Sequence, residues 1–286
     1  MAPFIFTLAT ISIAAILAFL WFIGPVRPSL AMRTQLRGQK YAHRGVYDNA
    51  GDAPENSLKA FSAAVEKGYA IELDIRLTKD GRVVVFHDGS LERLCGLKQP
   101  VNALTLAELK ALRLFGTDER IPEFGEFLAL VAGRAPLLIE YKTGLPGADV
   151  AGVAQLCEAS LALLDAYKGP YVIESFDYLV LEWFRRRRPD VMRGQLGMGL
   201  QCYVPALGKA GAEAIPLYRR KMLSWLLYNH RSRPHFISYR FQDAGLGVAV
   251  CRALGAQVSV WTVKTAEEGA KLLTRYDAII FEGFSP

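Results

Sequence analysis

Cysteine is scarce in this 286-residue sequence, and its four copies lie far apart, at positions 95, 157, 202 and 251. This scatter has neither the close spacing of a zinc site nor the density of a disulfide scaffold. The sequence also contains no internal repeat, no low-complexity tract and no recognisable nucleic-acid-binding module. The net charge of +6 therefore does not indicate nucleic acid, and an anionic membrane surface is the better-matched partner.

Charge is missing from the start of the chain, where residues 2–26 carry none. About 20 apolar residues can cross the hydrocarbon core of a bilayer, so residues 1–26 are predicted to form an uncleaved transmembrane anchor. A cleaved secretory signal is the alternative, but its apolar region is usually ~7–15 residues long and follows a basic start. Four basic residues between positions 27 and 40 follow the run, which favours a single-pass membrane protein whose larger, C-terminal part is cytoplasmic.

The rest of the chain has the length of one (β/α) barrel, which typically needs ~250 residues. Apolar runs alternate with helix-like segments, and this alternation predicts a mostly parallel, distorted (β/α)8 TIM barrel. The eight strand candidates are residues 40–44, 70–77, 82–87, 136–142, 171–175, 193–196, 235–239 and 257–263. A further run, Ala278–Phe281, is a candidate for an extra short strand, and the pattern leaves open which runs close the barrel.

The connection between residues 89 and 134 is too long for an ordinary barrel loop and contains its own helix-like pattern, TLAELKAL. We predict that it forms a small insertion after the third strand and covers the mouth of the barrel. The expected organisation is thus an anchor over residues 1–26, a linker over residues 27–38 and a catalytic barrel domain over residues 39–286.

Two strings near the start of the predicted barrel place ionisable groups at strand ends. YAHRG carries His43 and Arg44, and ELDIRLTKDGRVVVFHD contains Glu72, Asp74 and His87. Side chains two positions apart in a strand point the same way, so Glu72 and Asp74 can hold one hard cation together. Imidazole titrates near neutral pH, which makes His43 and His87 the natural acid and base. The two strings therefore predict a metal-dependent phosphodiesterase site.

The order of four motifs is more specific than any one of them. They are His-Arg-Gly from position 43, Pro-Glu-Asn from 54, Glu-Leu-Asp from 72 and His-Asp from 87. In this order they resemble the glycerophosphodiester phosphodiesterases, a branch of the phosphatidylinositol-phospholipase-C-like TIM barrels. Later landmarks agree with the resemblance: RIPEFGEFL at 120–128, IEYK at 139–142, SF at 175–176 and VWTV at 260–263. The resemblance covers roughly residues 38–286 and implies hydrolysis of glycerophosphodiesters to sn-glycerol 3-phosphate and an alcohol.

A third carboxylate, Glu140 of the IEYK string, is expected to join Glu72 and Asp74. An all-oxygen donor set suits one divalent cation, Mg²⁺ or Ca²⁺, whereas zinc prefers nitrogen or sulfur. The competing interpretation is that these acids only pair with Arg76 or Lys142. Several acids at neighbouring strand ends would be costly to hold without a cation, which favours the metal.

Substrate contacts are predicted for four residues. Arg44 and Lys142 are expected to contact the non-bridging phosphate oxygens, Arg44 through its planar fork and Lys142 as a point charge. The resemblance implies that Asn56 lies beside the site and orients a ligand, although an N-cap for the helix beginning near Ser57 is an alternative. Trp261 is similar to the family's substrate-wall tryptophan, and a place in the core is its alternative.

The C-terminal part departs from the family pattern. Lys264 stands where many relatives carry asparagine, and FEGFSP replaces their usual Thr-Asp-x-Pro ending. These departures concern recognition of the alcohol moiety rather than cleavage. Two alternatives to glycerophosphodiester hydrolysis stay open: a lysophospholipase D that acts on membrane lysophospholipids, and a catalytically silent membrane scaffold that binds lipid. The sequence does not indicate which histidine is the acid, nor the oligomeric state.

Overall fold

Eight parallel strands close into a barrel in the structure, a computed structural model that describes residues 2–286 apart from the side chains of residues 2–6 and 8. The strands are β1 Gln39–His43, β2 Ala70–Leu77, β3 Val83–Val85, β4 Leu137–Tyr141, β5 Tyr171–Ser175, β6 Arg193–Gly197, β7 Phe236–Arg240, β8 Gln257–Val263 and β9 Ala278–Phe281. All except β3 belong to the ring, in the order β1-β2-β4-β5-β6-β7-β8-β9, and β9 pairs with β1 to close it.

The helices surround and flank this ring. They are α1 Ala2–Ile23, α2 Leu30–Leu36, α3 Leu58–Glu66, α4 Glu92–Cys95, α5 Leu106–Ala111, α6 Phe124–Val131, α7 Val150–Leu164, α8 Tyr178–Arg187, α9 Tyr203–Ala214, α10 Leu217–Ser224, α11 Asn229–Ser232, α12 Leu246–Ala253 and α13 Ala266–Leu273. Helix α2 lies within the predicted linker, and its Leu36 is fully buried against the barrel interior.

The predicted TIM barrel is confirmed, but one of its eight strands was assigned wrongly. The run at 82–87 forms β3, which pairs antiparallel with β2 outside the ring. Only a short turn with Gly81 at φ 74° separates the two strands, and a parallel pair needs a crossover of a dozen or more residues. Ala278–Phe281 follows a crossover helix, α13, and is the eighth parallel strand.

The strands alternate between two cores. In β4, Leu137, Ile139 and Tyr141 face the layer of surrounding helices, whereas Leu138 belongs to the cluster inside the barrel. Glu140 is the next inward position, because side chains in a strand alternate between faces. The inward face of β4 therefore changes from apolar to acidic as the strand approaches the carboxyl end of the barrel.

The segment predicted as an insertion, residues 89–134, contains α4, α5 and α6. Its part before α6 builds a separate small apolar core with β3, in which Val84, Phe86, Leu94 and Leu109 are buried, whereas α6 packs in the main core. A second long connection, between β6 and β7, carries α9, α10 and α11.

The predicted transmembrane anchor is wrong. Among the helices whose residues are described, none is long and apolar enough to cross a membrane; Met1 of the predicted anchor lies outside the described residues. The end of α1 instead packs on the barrel domain, where Ile23 is fully buried and its carbonyl oxygen accepts from Asn229 Nδ2 at 2.9 Å. Arg233 donates to the carbonyl oxygens of Trp21 and Gly24. Part of the apolar run is thus in contact with the protein itself, which the prediction of a single-pass membrane protein did not foresee.

Candidate active site

The carboxyl ends of β1, β2 and β4 bring the predicted site residues together. His43 lies opposite Glu72 in the β1–β2 register, and Asp74 lies opposite Glu140 in the β2–β4 register. Strands that are parallel and in this register end at one level, so residues that are far apart in the chain meet at the mouth of the barrel.

Glu72, Asp74 and Glu140 are buried, and one oxygen from each lies within 4.8 Å of the others. Burial, followed by the neighbouring Asp74 and Glu140, raises the pKa of Glu72 well above its usual range. Burial also raises the pKa of Glu140. Buried carboxylates at this spacing repel each other, and their donor set is made of hard oxygens. These residues therefore fit a divalent cation of the Mg²⁺ or Ca²⁺ type.

Lys142 supplies positive charge from within the protein. Its Nζ lies 2.7 Å from Glu140 Oε1 and 3.2 Å from Asp74 Oδ1. Burial opposes ionisation of Asp74, but Lys142 and then His87 hold the pKa of Asp74 below its usual range. Arg76 is not a partner of these acids by hydrogen bond, since its guanidinium donates to the carbonyl oxygen of His87 at 2.9 and 2.6 Å.

Two residues with positive φ hold the acidic cluster in place. Arg44, at φ 57°, donates its backbone N–H to Glu72 Oε2 at 3.0 Å, and its Nε lies 3.5 Å from Asp74 Oδ2. Asn56, at φ 58°, donates from Nδ2 to Asp74 Oδ2 at 2.9 Å. The N-cap of α3 is Ser57, whose hydroxyl accepts from the backbone of residue 60. Asn56 is thus placed beside the site rather than at the helix cap, and strained backbone of this kind is typical of functional sites.

The two histidines are each backed by a carboxylate. His43 Nδ1 lies 2.6 Å from Glu282 Oε2, and His87 Nδ1 lies 2.7 Å from Asp88 Oδ1. Burial lowers the pKa of His43 and lowers that of His87 to about 4, so both rings are neutral near pH 7. A neutral imidazole that donates from Nδ1 leaves Nε2 as an acceptor. In His43 that atom lies 4.0 Å from Glu72 Oε2, next to the acidic cluster.

Arg93 was not predicted as a site residue. It extends from α4 and donates to both oxygens of Glu55, at 2.8 and 2.7 Å, and to Asp88. Glu55 also accepts from Arg44 Nη1 at 2.6 Å. Arg93 thus connects the segment at residues 89–134 to the catalytic mouth, although nothing in its sequence neighbourhood marks it.

Three further residues were also missed. Glu174 lies opposite Glu140 in the β4–β5 register and is buried, with Oε2 lacking a hydrogen bond. Its position on the inward face of a strand was a usable signal, because it follows the same alternation as Glu140. Glu282 and Tyr47 form a hydrogen bond with each other at 3.1 Å, far apart in the chain, and no local pattern predicts such a contact.

Two cavities meet at the site. A cavity of about 680 Å³ is lined by Glu72 and Glu140 and by apolar side chains of α9 and α10. A second, of about 490 Å³, is lined mainly by charged and polar groups, including Arg240, Lys264 and Glu282. His43, Arg44, Trp261 and Thr262 line both cavities, so Trp261 lies where the two cavities meet.

A parallel barrel with its polar pocket at the carboxyl ends of the strands defines the protein as a TIM-barrel enzyme by class. A model of the glycerophosphoryl diester phosphodiesterase family matches residues 43–281, and the chain belongs to that family. The resemblance seen in the ordered motifs is therefore confirmed.

Individual relatives and a solved structure are also similar to this chain. A glycerophosphodiester phosphodiesterase from Caldanaerobacter subterraneus is 33% identical over 172 residues, which are 56% of this chain and 66% of that protein. A lysophospholipase D from Rattus norvegicus is 33% identical over 128 residues, which are 40% of each chain. The matched segments thus span less than two thirds of these relatives. The crystal structure of a glycerophosphodiester phosphodiesterase from Thermotoga maritima superimposes with a TM-score of 0.60 at 26% identity, covering 84% of this chain and 92% of that one.

Proposed function

We propose that the protein hydrolyses glycerophosphodiesters to sn-glycerol 3-phosphate and an alcohol with the help of one divalent cation, Mg²⁺ or Ca²⁺. The observation that carries this proposal is the meeting of a buried three-carboxylate cluster and two carboxylate-backed histidines at one barrel mouth. Membership of the phosphodiesterase family supports the reaction class.

A phosphodiester resists hydrolysis because its anion repels nucleophiles and because the leaving alkoxide is poor. Arg44 and Lys142 lie at the rim of the acidic cluster, where they can neutralise the non-bridging oxygens. A cation held by Glu72, Asp74 and Glu140 supplies Lewis-acid polarisation of the phosphoryl group when bound.

Proton transfer is assigned to the histidines. Because each Nδ1 faces a carboxylate, each Nε2 is left to exchange a proton on the substrate side. One ring removes a proton from the attacking water or substrate hydroxyl, and the other protonates the leaving alcohol oxygen as its bond to phosphorus breaks. If the substrate hydroxyl attacks, water then opens the cyclic phosphate to give glycerol 3-phosphate. The carboxylate behind each ring stabilises the imidazolium that forms. The complete set of groups also disfavours a silent scaffold.

The direct test is hydrolysis of glycerophosphocholine with and without a chelator. We expect chelation to abolish activity and added Mg²⁺ or Ca²⁺ to restore it. Glu72→Gln should lower kcat by roughly 10³-fold, since metal assistance contributes several kcal/mol, and calorimetry should show weaker cation binding. Glu158→Gln, on the exposed face of α7, is the matched control. Full activity of Glu72→Gln in excess chelator would exclude the metal site.

A second candidate, hydrolysis of lysophospholipids at the same phosphodiester bond, is favoured by the apolar wall of the large cavity. This wall consists of Leu145, Met198, Leu207, Ile215 and Leu223. Leu207 is 46% exposed, so the wall continues to the surface. An acyl chain would gain about 0.8 kcal/mol per buried methylene there. The rat relative named as a lysophospholipase D supports this candidate.

Filling this cavity separates the two candidates. Ala206, on α9, lines the cavity, whereas the neighbouring Val204 does not and is 49% exposed. Ala206→Trp should reduce kcat/KM for lysophosphatidylcholine, increasingly with chain length, and spare glycerophosphocholine. Val204→Trp should change neither. Equal effects of Ala206→Trp on both substrates would reject the lysophospholipid candidate and leave the first proposal standing.

A further inference from the structure

The two C-terminal departures from the family pattern lie in contact with each other. Lys264 follows β8, Glu282 follows β9, and Lys264 Nζ lies 3.0 Å from Glu282 Oε1. The other oxygen of Glu282 lies 2.6 Å from His43 Nδ1 and accepts from the Tyr47 hydroxyl at 3.1 Å. Glu282 therefore uses one oxygen for the lysine and the other for the histidine.

The same succession of groups occurs at the second histidine. His87 Nδ1 lies 2.7 Å from Asp88 Oδ1, and Arg93 Nε donates to Asp88 Oδ2 at 2.7 Å. At both sites a carboxylate holds the imidazole and a cation holds the carboxylate. This correspondence favours a common role for the two carboxylates, even though one neighbours its histidine in the chain and the other is 239 residues away.

We propose that Glu282 is a positioning residue for His43: it keeps Nδ1–H on the carboxylate and turns Nε2 toward the acidic cluster, while Lys264 and Tyr47 hold Glu282 itself. The inference rests on the proposed function, in which Nε2 of His43 exchanges a proton. An imidazole can rotate by half a turn at little cost, and a fixed acceptor behind Nδ1 removes that freedom. The C-terminal departures thus bear on proton transfer rather than on recognition of the alcohol.

The competing explanation is a structural one, in which Glu282 only ties the end of β9 to β1. A structural role predicts a loss of folded protein with unchanged kcat per folded molecule. A positioning role predicts a lower kcat in protein that is fully folded, with KM for glycerophosphocholine almost unchanged.

The experiment measures kcat, KM, melting temperature and the ¹⁵N chemical shifts of the His43 ring in the full chain. We expect Glu282→Ala to lower kcat by ~10–100-fold, the range seen when an orienting partner of a site residue is removed. Glu282→Gln, which retains an acceptor oxygen, should recover part of it, and Lys264→Met should have a smaller effect. Asp52→Ala, which breaks an exposed ion pair with Lys59, is the control.

The ¹⁵N signals of the His43 ring, identified by their loss in His43→Ala, test the proposal without a measurement of turnover. The proposal is supported if the ¹⁵N shifts place the proton on Nδ1 in the wild type and show no such preference for Nδ1 in Glu282→Ala. Unchanged ring shifts, or an unchanged kcat per folded molecule, overturn it. If Glu282→Ala does not fold, Glu282→Gln and Lys264→Met provide the same readouts. A wild type that does not hydrolyse glycerophosphocholine would refute the proposed function alone, because the ring orientation is measured separately.

Discussion

The two ends of the barrel bury charge in different ways. At the amino-terminal end, the buried Arg193 guanidinium donates to the backbone carbonyl oxygens of Ser232 and Arg233, and His235 accepts from the backbone of Arg193. At the carboxyl end, four buried carboxylates face the two cations Arg44 and Lys142; the carboxylates are Glu72, Asp74, Glu140 and Glu174. At the first end, the hydrogen bonds of Arg193 and His235 are thus made with backbone groups of the fold itself. The second end holds more buried carboxylates than these two cations can pair with, which is typical of a ligand site.

The largest expected effect is a loss of turnover at the mouth. His87→Ala should lower kcat on glycerophosphocholine by ~10²–10⁴-fold, the usual contribution of proton transfer, without lowering the melting temperature. A substrate with a good leaving group should be spared in part if His87 is the acid. His230→Ala is the matched control, because that ring lies on α11 and contacts Leu227 and Trp21 instead. A normal rate for His87→Ala would contradict the assignment.

A packing change at the amino-terminal end should affect stability alone. A Cβ on Gly194 would overlap the ring of Phe236 inside the barrel. Gly194→Ala should therefore cost about 1–3 kcal/mol in urea unfolding and leave kcat per folded molecule unchanged. Phe236→Leu in the same chain should recover part of the loss. Gly125→Ala, on α6 with Leu163 at 3.9 Å as its nearest neighbour, should not destabilise. Equal losses for both glycines would show that the close approach is not the cause.

The smallest expected effect is a pH dependence of stability at the same end. Burial, and then Arg193, lowers the pKa of His235 to about 4, whereas an unfolded histidine titrates near 6.5. As the pH falls toward 4, the unfolded chain binds a proton that the folded chain does not, so stability falls. Between about pH 7 and about pH 5.5 this group alone should account for roughly 1 kcal/mol. His235→Asn should flatten the dependence by that amount, and an unchanged slope would exclude His235 as its source.

Sequence patterns predicted those features of this protein that depend on residues close together in the chain. The inward carboxylates Glu72, Asp74 and Glu140 follow from alternation along strands, and the strands that carry them are otherwise mostly apolar. The place of Ala278–Phe281 in the barrel could not be predicted in this way, because the strand with which an apolar run pairs depends on the length of the connection that precedes it. Contacts such as Arg93 with Glu55 depend on the complete fold. Hydropathy alone also could not show that the end of α1 packs on α11 and α12.

Closure of the ring between β1 and β9 has a consequence for synthesis of the protein. The strands that complete the barrel are separated by more than 230 residues of chain, from His43 to Ala278. Contacts of such long range form late, and a chain emerging from the ribosome holds β1 and β2 long before β9 is available. His43 then lacks both the neighbouring strand and Glu282. A nascent chain therefore carries Glu72, Asp74 and Glu140 before His43 can meet Glu282, and the proposed acid–base pair is complete only when the last strand has docked.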